Sequence, residues 1–187
     1  MNERTRMNHL QADAIALSLI GHDVARIPDN MLPSPSPCDG WTVADLLRHM
    51  NEQHEEVIGT VLEPFGAYDQ DPRNDFALIG ARWLTAVQRA GDEIEVPKVG
   101  AAIQTSLVIE IHLVDMLVHR WDLAKSLGSE CFVPTVLTDM ALPIARAITS
   151  PGSPMIGPDG VYQPSRSERD AQTPIDNLAA LLGRAPI

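Results

Sequence analysis

The sequence predicts an all-α protein, because four segments of the 187-residue chain carry apolar residues at helical spacing. Proline-rich or glycine-rich stretches separate these segments, and capping residues stand at several of their ends. Long helices joined in this way are typical of a bundle. We therefore expect a four-helix bundle with extra short C-terminal helices, formed by a single domain that spans residues 1–187.

The first two predicted helices are separated by a connector that proline keeps from being helical. The first runs from about residue 5 to 27 and ends before Pro28. The LPSPSP stretch at 32–37 loses amide donors, and each proline restricts the residue before it. The second helix begins after Thr42, because Thr42 and Asp45 form a capping-box-like pair with an acid in the first turn.

The third predicted helix covers about residues 75 to 90, and the fourth covers about 101 to 127 and ends at Gly128. The GDEIEVPKVG stretch between them breaks the helical pattern and holds either a short extended piece or none. Three C-terminal elements follow: a helix over 134–149 kinked at Pro143, a Gly/Pro-rich loop over 150–164, and a closing helix over 175–182 ended by Gly183.

Composition and charge narrow the classes of partner. A formal net charge of −11 disfavours nucleic acid, whose phosphates are bound by clustered Lys and Arg. The sequence has neither a secretory signal nor a run of roughly 20 apolar residues that would cross a membrane. Cys38 and Cys131 form neither a CxxC pair nor a disulfide framework, as is usual in a reducing compartment. We expect a cytoplasmic protein that acts on small molecules.

The fourth helix carries a polar trio that could bind a metal. His112, Asp115 and His119 share one helical face, since each residue advances the helix by about 100°. They stand beside the apolar stripe that should pack into the bundle. Asp115 and His119, one turn apart, can chelate one ion, and such donors suit zinc or a similar divalent metal. The same spacing is also typical of a surface ion pair or a buried hydrogen bond.

The second helix offers a further ligand in His49 or His54. His49 flanks the apolar stripe on the side shared with Gln53, and His54 lies nearer the middle of the stripe. Helix geometry does not choose between them. Three protein ligands would leave a coordination position open for water or substrate, as in catalytic zinc sites. Cys38, ahead of this helix, either packs or is activated by the helix dipole.

Three strings carry a family resemblance. CDGWTVADLLRH at 38–49 and DMLVHRWDLAKSLG at 115–128 resemble the DinB/YfiT-like superfamily, particularly its actinobacterial branch related to mycothiol-dependent maleylpyruvate isomerase. The closing TPIDNLAALLGRAP is similar to the C-terminal signature of uncharacterised proteins in that branch. The resemblance therefore spans nearly the whole chain and implies a DinB-like four-helix bundle.

The resemblance also implies a metal held by His49, Asp115 and His119. Beside these ligands, we expect His112 and Gln53 as supporting residues. Relatives of the isomerase carry Glu where this chain has Asp115, and the shorter carboxylate reaches less far. The implied function is a metal-dependent enzyme, with zinc or nickel, that transfers a small thiol such as mycothiol to an electrophilic substrate or isomerises that substrate with it.

Two other functions stay open at this point. One is a metal-assisted hydrolase that uses water instead of a thiol. The other is a non-catalytic module that binds a small ligand or serves in a stress response. The apolar rim of a bundle could in addition support a homodimer.

Overall fold

The computed structural model describes residues 7–64, 69–156, 161–167 and 171–185, and within them the fold is mainly helical. The helices are α1 (His9–Val24), α2 (Val43–Ile58), α3 (Pro72–Arg89), α4 (Thr105–Ser126), α5 (Thr135–Ile148) and α6 (Pro174–Leu181), with a short 3-10 helix at Asp29–Met31. Strands β1 (Glu93–Val96) and β2 (Ala101–Gln104) form an antiparallel hairpin. The predicted all-α class is confirmed.

The first four α-helices form the bundle. α1 packs along α4 and α2 packs along α3, while α5 and α6 lie against α4. Large side chains from several helices are fully buried in the common core, among them Phe76, Leu46, Leu113, Leu117 and Trp121. The predicted four-helix bundle with extra C-terminal helices is therefore confirmed.

The start of α4 was predicted too early. Residues 101–104 form strand β2 and pair with β1, with Ile94 opposite Ile103, so α4 begins only at Thr105. Gly100 has a φ of +69° in the connection between the strands, a conformation that suits glycine. The segment whose structure the sequence left open is thus one arm of a hairpin.

The helix boundaries follow from local chemistry. The predicted capping box of α2 is present: the Thr42 amide donates to Asp45 Oδ2 at 3.0 Å, and the Asp45 amide donates to Thr42 Oγ1 at 3.2 Å. α3 begins at Pro72, a turn earlier than expected, because Asp71 caps it and proline suits the first helical position. Among the residues described, no helix is both long and apolar enough to cross a membrane.

Candidate functional site

Two of the predicted ligands meet between α2 and α4. The rings of His49 and His119 lie 5.9 Å apart between centroids, nearly edge to face at 83°. Trp41, just ahead of the α2 cap, packs against His49 with a centroid distance of 4.7 Å. His54 is directed elsewhere, so the histidine of α2 that meets His119 is His49.

His119 is oriented by a carboxylate on its own helix. Its Nδ1 lies 3.3 Å from Oδ2 of Asp122, which is fully buried. Because a carboxylate oxygen only accepts hydrogen bonds, Nδ1 is the donor, and in the neutral form of the ring Nε2 then keeps a free lone pair. Metal-binding histidines are usually held in this way by an outer carboxylate.

Asp122 collects donors from three parts of the chain. Arg184, just past α6, reaches it at two points, with Nη2 to Oδ2 at 2.9 Å and Nε to Oδ1 at 3.3 Å. Burial raises the pKa of Asp122, but the hydrogen bond from His119 and the charge of Arg184 outweigh burial and hold the pKa below its usual value. Asp122 is therefore a stable carboxylate behind His119.

Cys38 is the third donor, with its thiol 3.8 Å from Asp122 Oδ2. Burial, assisted by the nearby Asp122 charge, raises the pKa of Cys38 to about 11. The thiol is therefore protonated at neutral pH, and the structure favours a packed cysteine over an activated one.

Asp115 is engaged by the C-terminal part of the chain. Its Oδ1 accepts a hydrogen bond from the Tyr162 hydroxyl at 2.6 Å. Burial and the Asp115 charge together raise the pKa of Tyr162 well above its usual value, so the tyrosine stays a donor. One oxygen of the predicted acid ligand thus already has a strong partner.

The donor chemistry of the site fits a divalent ion, but the donors do not surround one point. Burial is the main cause that lowers the pKa of His49 to about 4, with the neighbouring His119, Lys98 and Arg184 adding to it, so the ring is neutral at pH 7, as a metal ligand must be. Within the described ranges, however, no three His, Cys, Asp or Glu side chains are grouped so that they could hold an ion. The two imidazoles are suitable metal ligands, whereas Asp115 is hydrogen-bonded to Tyr162.

Comparison with known proteins identifies the family. A model described as the mycothiol maleylpyruvate isomerase N-terminal domain matches residues 18–124, more than half of the chain. The chain belongs to this family. Two uncharacterized proteins of Mycobacterium tuberculosis, one from strain CDC 1551 / Oshkosh and one from strain H37Rv, are each 26% identical to it over 187 residues, which cover 95% of this chain and 98% of theirs. No solved structure matches the chain significantly.

The part matched to the mycothiol maleylpyruvate isomerase family contains the predicted ligands but not all of their partners. His49, Asp115 and His119 lie inside residues 18–124, while Tyr162 and Arg184 lie beyond them. The sequence analysis missed both partners. The closing LLGR string was the available signal for Arg184, since a glycine that ends a helix fixes the path of the backbone at the next residue, here the arginine.

The supporting residues predicted for this family member have other contacts. Gln53 Oε1 lies 3.5 Å from Nζ of Lys98, at the turn of the β-hairpin. His112 turns away from the His49–His119 pair and bonds to Asp13 of α1, with Nδ1 to Oδ1 at 2.6 Å.

His112 belongs to a buried network that joins the four bundle helices. Asp13 accepts from Trp83 Nε1 of α3 at 3.0 Å, and His112 Nε2 lies 2.6 Å from His54 Nε2 of α2. Burial, and next the neighbouring His112, lower the pKa of His54 well below its usual value. The other ring nitrogen of His54 contacts the backbone of Met50 without reaching hydrogen-bond geometry. The signal for this network was Asp13, a lone acid within the apolar run ADAIALSLI.

The VHRWD string has a structural partner for each polar residue. Arg120 donates through Nε to Asp23 of α1 at 2.6 Å, and Trp121 donates through Nε1 to Asp176 of α6 at 2.8 Å. With His119 bonded to Asp122, the string connects α4 to α1, to α6 and to the candidate site.

Proposed function

We propose that this protein is a metal-dependent enzyme that adds or transfers a small thiol of the mycothiol type to a small electrophilic substrate, or isomerises that substrate with it. The supporting observation is the His49–His119 pair, in which two imidazole rings from different helices lie 5.9 Å apart between centroids. The pair stands in a domain of the mycothiol maleylpyruvate isomerase family, and this family membership points to a thiol co-substrate.

In this proposal His49 and His119 hold a divalent cation, zinc or nickel, and Asp115 is the third ligand. A bound cation of this kind lowers the pKa of a thiol that reaches it, which makes the thiolate available at neutral pH. The protein's own part is to present the ring nitrogens. Asp122 holds the proton of His119 on Nδ1, and burial keeps His49 uncharged.

The first experiment measures the metal content of protein purified without a metal-chelating tag. We expect near-stoichiometric zinc or nickel in the parent and loss of metal in a His49→Ala, His119→Ala double variant. A His9→Ala, His22→Ala variant is the matched control, because it removes two histidines of α1 that lie outside the candidate site, one half-buried and one exposed. A parent that stays free of metal after incubation with zinc would refute the metal part of the proposal.

The second experiment supplies the metal-loaded protein with a low-molecular-weight thiol and a panel of electrophiles. We expect thiol-dependent consumption of at least one electrophile, and its loss in the double histidine variant. Turnover of an ester or amide without any thiol would instead favour a metal-assisted hydrolase.

The contact between Tyr162 and Asp115 favours one competing function. With that carboxylate occupied and no three-donor group among the residues described, the bundle could serve as a non-catalytic module for a small ligand. Metal-free protein whose thermal stability rises with an apolar ligand would favour this alternative.

A further inference from the structure

The end of α6 fixes the direction of Arg184. Gly183 donates its amide to the Ala180 carbonyl at 3.1 Å, and Arg184 donates to the Ala179 carbonyl at 3.0 Å, the pair of bonds of a Schellman cap. Gly183 adopts a φ of +87°, and a Cβ there would lie 2.6 Å from that of Gln163. Only glycine suits this position, so the chain leaves the helix along one path.

Both ends of α6 are tied to consecutive residues of α4. At the first turn, Asp176 accepts from Trp121 Nε1 at 2.8 Å. Past the last turn, Arg184 meets Asp122 through two nitrogens. α6 is therefore anchored to α4 at both ends, and the Arg184 side chain is mostly buried, with 14% of it exposed.

Arg184 supplies the formal charge that Asp122 needs. A carboxylate with no exposed surface is costly to bury unless a cation and hydrogen bonds compensate it. Among the residues described, the other side-chain donors to the Asp122 carboxylate are the Cys38 thiol and the ring of His119, whereas Arg184 carries a permanent charge. Arg184 holds both oxygens of Asp122, and one of them, Oδ2, is the atom that His119 Nδ1 contacts, so the position of Arg184 decides where the acceptor for His119 lies.

We propose that Arg184 is a positioning residue for His119: its two hydrogen bonds hold the Asp122 carboxylate in place, so that Oδ2 stays against His119 Nδ1 and Nε2 is left free to bind. The proposal rests on the proposed function, since Nε2 is then the ligating atom. It places an essential part of the site beyond residues 18–124, the range that the family model matches.

The test uses Arg184→Met, which keeps the length of the side chain and removes its charge, and Arg184→Lys, which keeps the charge. Arg120→Met is the matched control, because Arg120 pairs with Asp23 one residue away from His119 without touching its ring. The ring-nitrogen shifts of His119 are measured by 15N NMR in full-length, metal-free protein. Zinc Kd is then measured by competition with a chelator.

We expect the Nδ1–H tautomer of His119 in the parent, in Arg184→Lys and in Arg120→Met, and its loss in Arg184→Met. Zinc binding should weaken by about 10- to 100-fold in Arg184→Met, the range for loss of an outer partner. An unchanged tautomer in Arg184→Met, or the same change in Arg120→Met, would overturn the proposal. Arg184→Gln is the second neutral variant if Arg184→Met does not fold.

The two readouts separate this proposal from the proposed function. If no variant and no parent protein binds zinc, the metal-dependent function fails, while the tautomer of His119 still decides the role of Arg184. If the parent binds zinc and Arg184→Met keeps both the tautomer and the affinity, only the role of Arg184 fails.

Discussion

Replacing Asp13 by alanine should destabilise the fold strongly, because this carboxylate is fully buried and accepts two hydrogen bonds. Its loss leaves the Nε1 donor of Trp83 and the Nδ1 donor of His112 without an acceptor. Each buried donor without a partner costs about 1–3 kcal/mol, and breaking a buried pair costs about 3–5 kcal/mol. We therefore expect the free energy of unfolding to fall by about 3–5 kcal/mol.

Urea unfolding followed by far-UV circular dichroism measures this change. With an m-value of about 2 kcal/mol/M, the midpoint should fall by about 2 M urea. Asp23→Ala, on the same helix, removes a partly exposed partner of Arg120 and should cost about 1 kcal/mol or less. Asp13→Asn keeps the volume of the side chain but places an amide NH2 against one of the two donors, Trp83 Nε1 or His112 Nδ1. Its loss of unfolding free energy should therefore lie between those of Asp13→Ala and Asp23→Ala.

The reasoning about Asp13 would be refuted by a loss of less than about 1 kcal/mol in Asp13→Ala, or by a loss no larger than that of Asp23→Ala. Such a result would mean that water or a rearranged side chain replaces the lost acceptor at small cost.

Three further predictions concern pH, metal and backbone. Because His49 has a pKa of about 4 when folded and 6.5 ordinarily, the unfolded state takes up its proton first, and stability should fall as pH falls from 6.5 to 4. Urea midpoints across this range measure the loss, which His49→Gln should reduce. Tyr162→Phe should tighten zinc binding about tenfold, because it releases Asp115 from a charge-assisted hydrogen bond, as chelator competition would measure. Gly183→Ala should lower the free energy of unfolding, measured with urea, by at least about 2 kcal/mol, and by more than Gly128→Ala does. Both glycines have a positive φ, but only at Gly183 would the added Cβ collide with another residue, Gln163.

Each of these has a contrary outcome. A urea midpoint that stays level or rises on acidification would contradict the assignment for His49. Ser165→Ala is the control for Tyr162→Phe, because it removes a hydroxyl of the same segment that donates to the Leu181 carbonyl. An equal change in zinc Kd in both variants would show that Tyr162→Phe acts by loosening the C-terminal segment and not by releasing Asp115. Equal losses in Gly183→Ala and Gly128→Ala would mean that the approach to Gln163 relaxes freely.

The fold could be predicted from the sequence because its signals are local. Thr42 and Asp45 mark the start of α2 within four residues, and Gly128 and Gly183 mark helix ends by a conformation that few other residues adopt. The predicted start of α4 was wrong because the signal that decides it is not local. Residues 101–104 have helical neighbours, but the pairing of Ile103 with Ile94 decides their conformation, and spacing within one helix carries no such information.

The candidate site was predictable only in part. The resemblance favoured His49 over His54, and the structure places His49 beside His119. Asp115 lies on the predicted helical face, yet its partner Tyr162 is 47 positions away, at a distance that no helical periodicity covers. Whether His49, Asp115 and His119 bind a metal together stays a prediction.

The network of Asp13, His54, Trp83 and His112 has a consequence for how this protein can diverge. Each member satisfies a polar atom of another, so losing any one of them strands its neighbours in an apolar core. Replacing all four by well-packed apolar side chains leaves no unsatisfied polar atom, and such a joint replacement can leave the free energy of unfolding unchanged. A single substitution in this network is therefore destabilising, whereas the joint replacement is not. Among descendants of this chain we expect the four positions to change together. Their mutational effects on stability should be strongly non-additive.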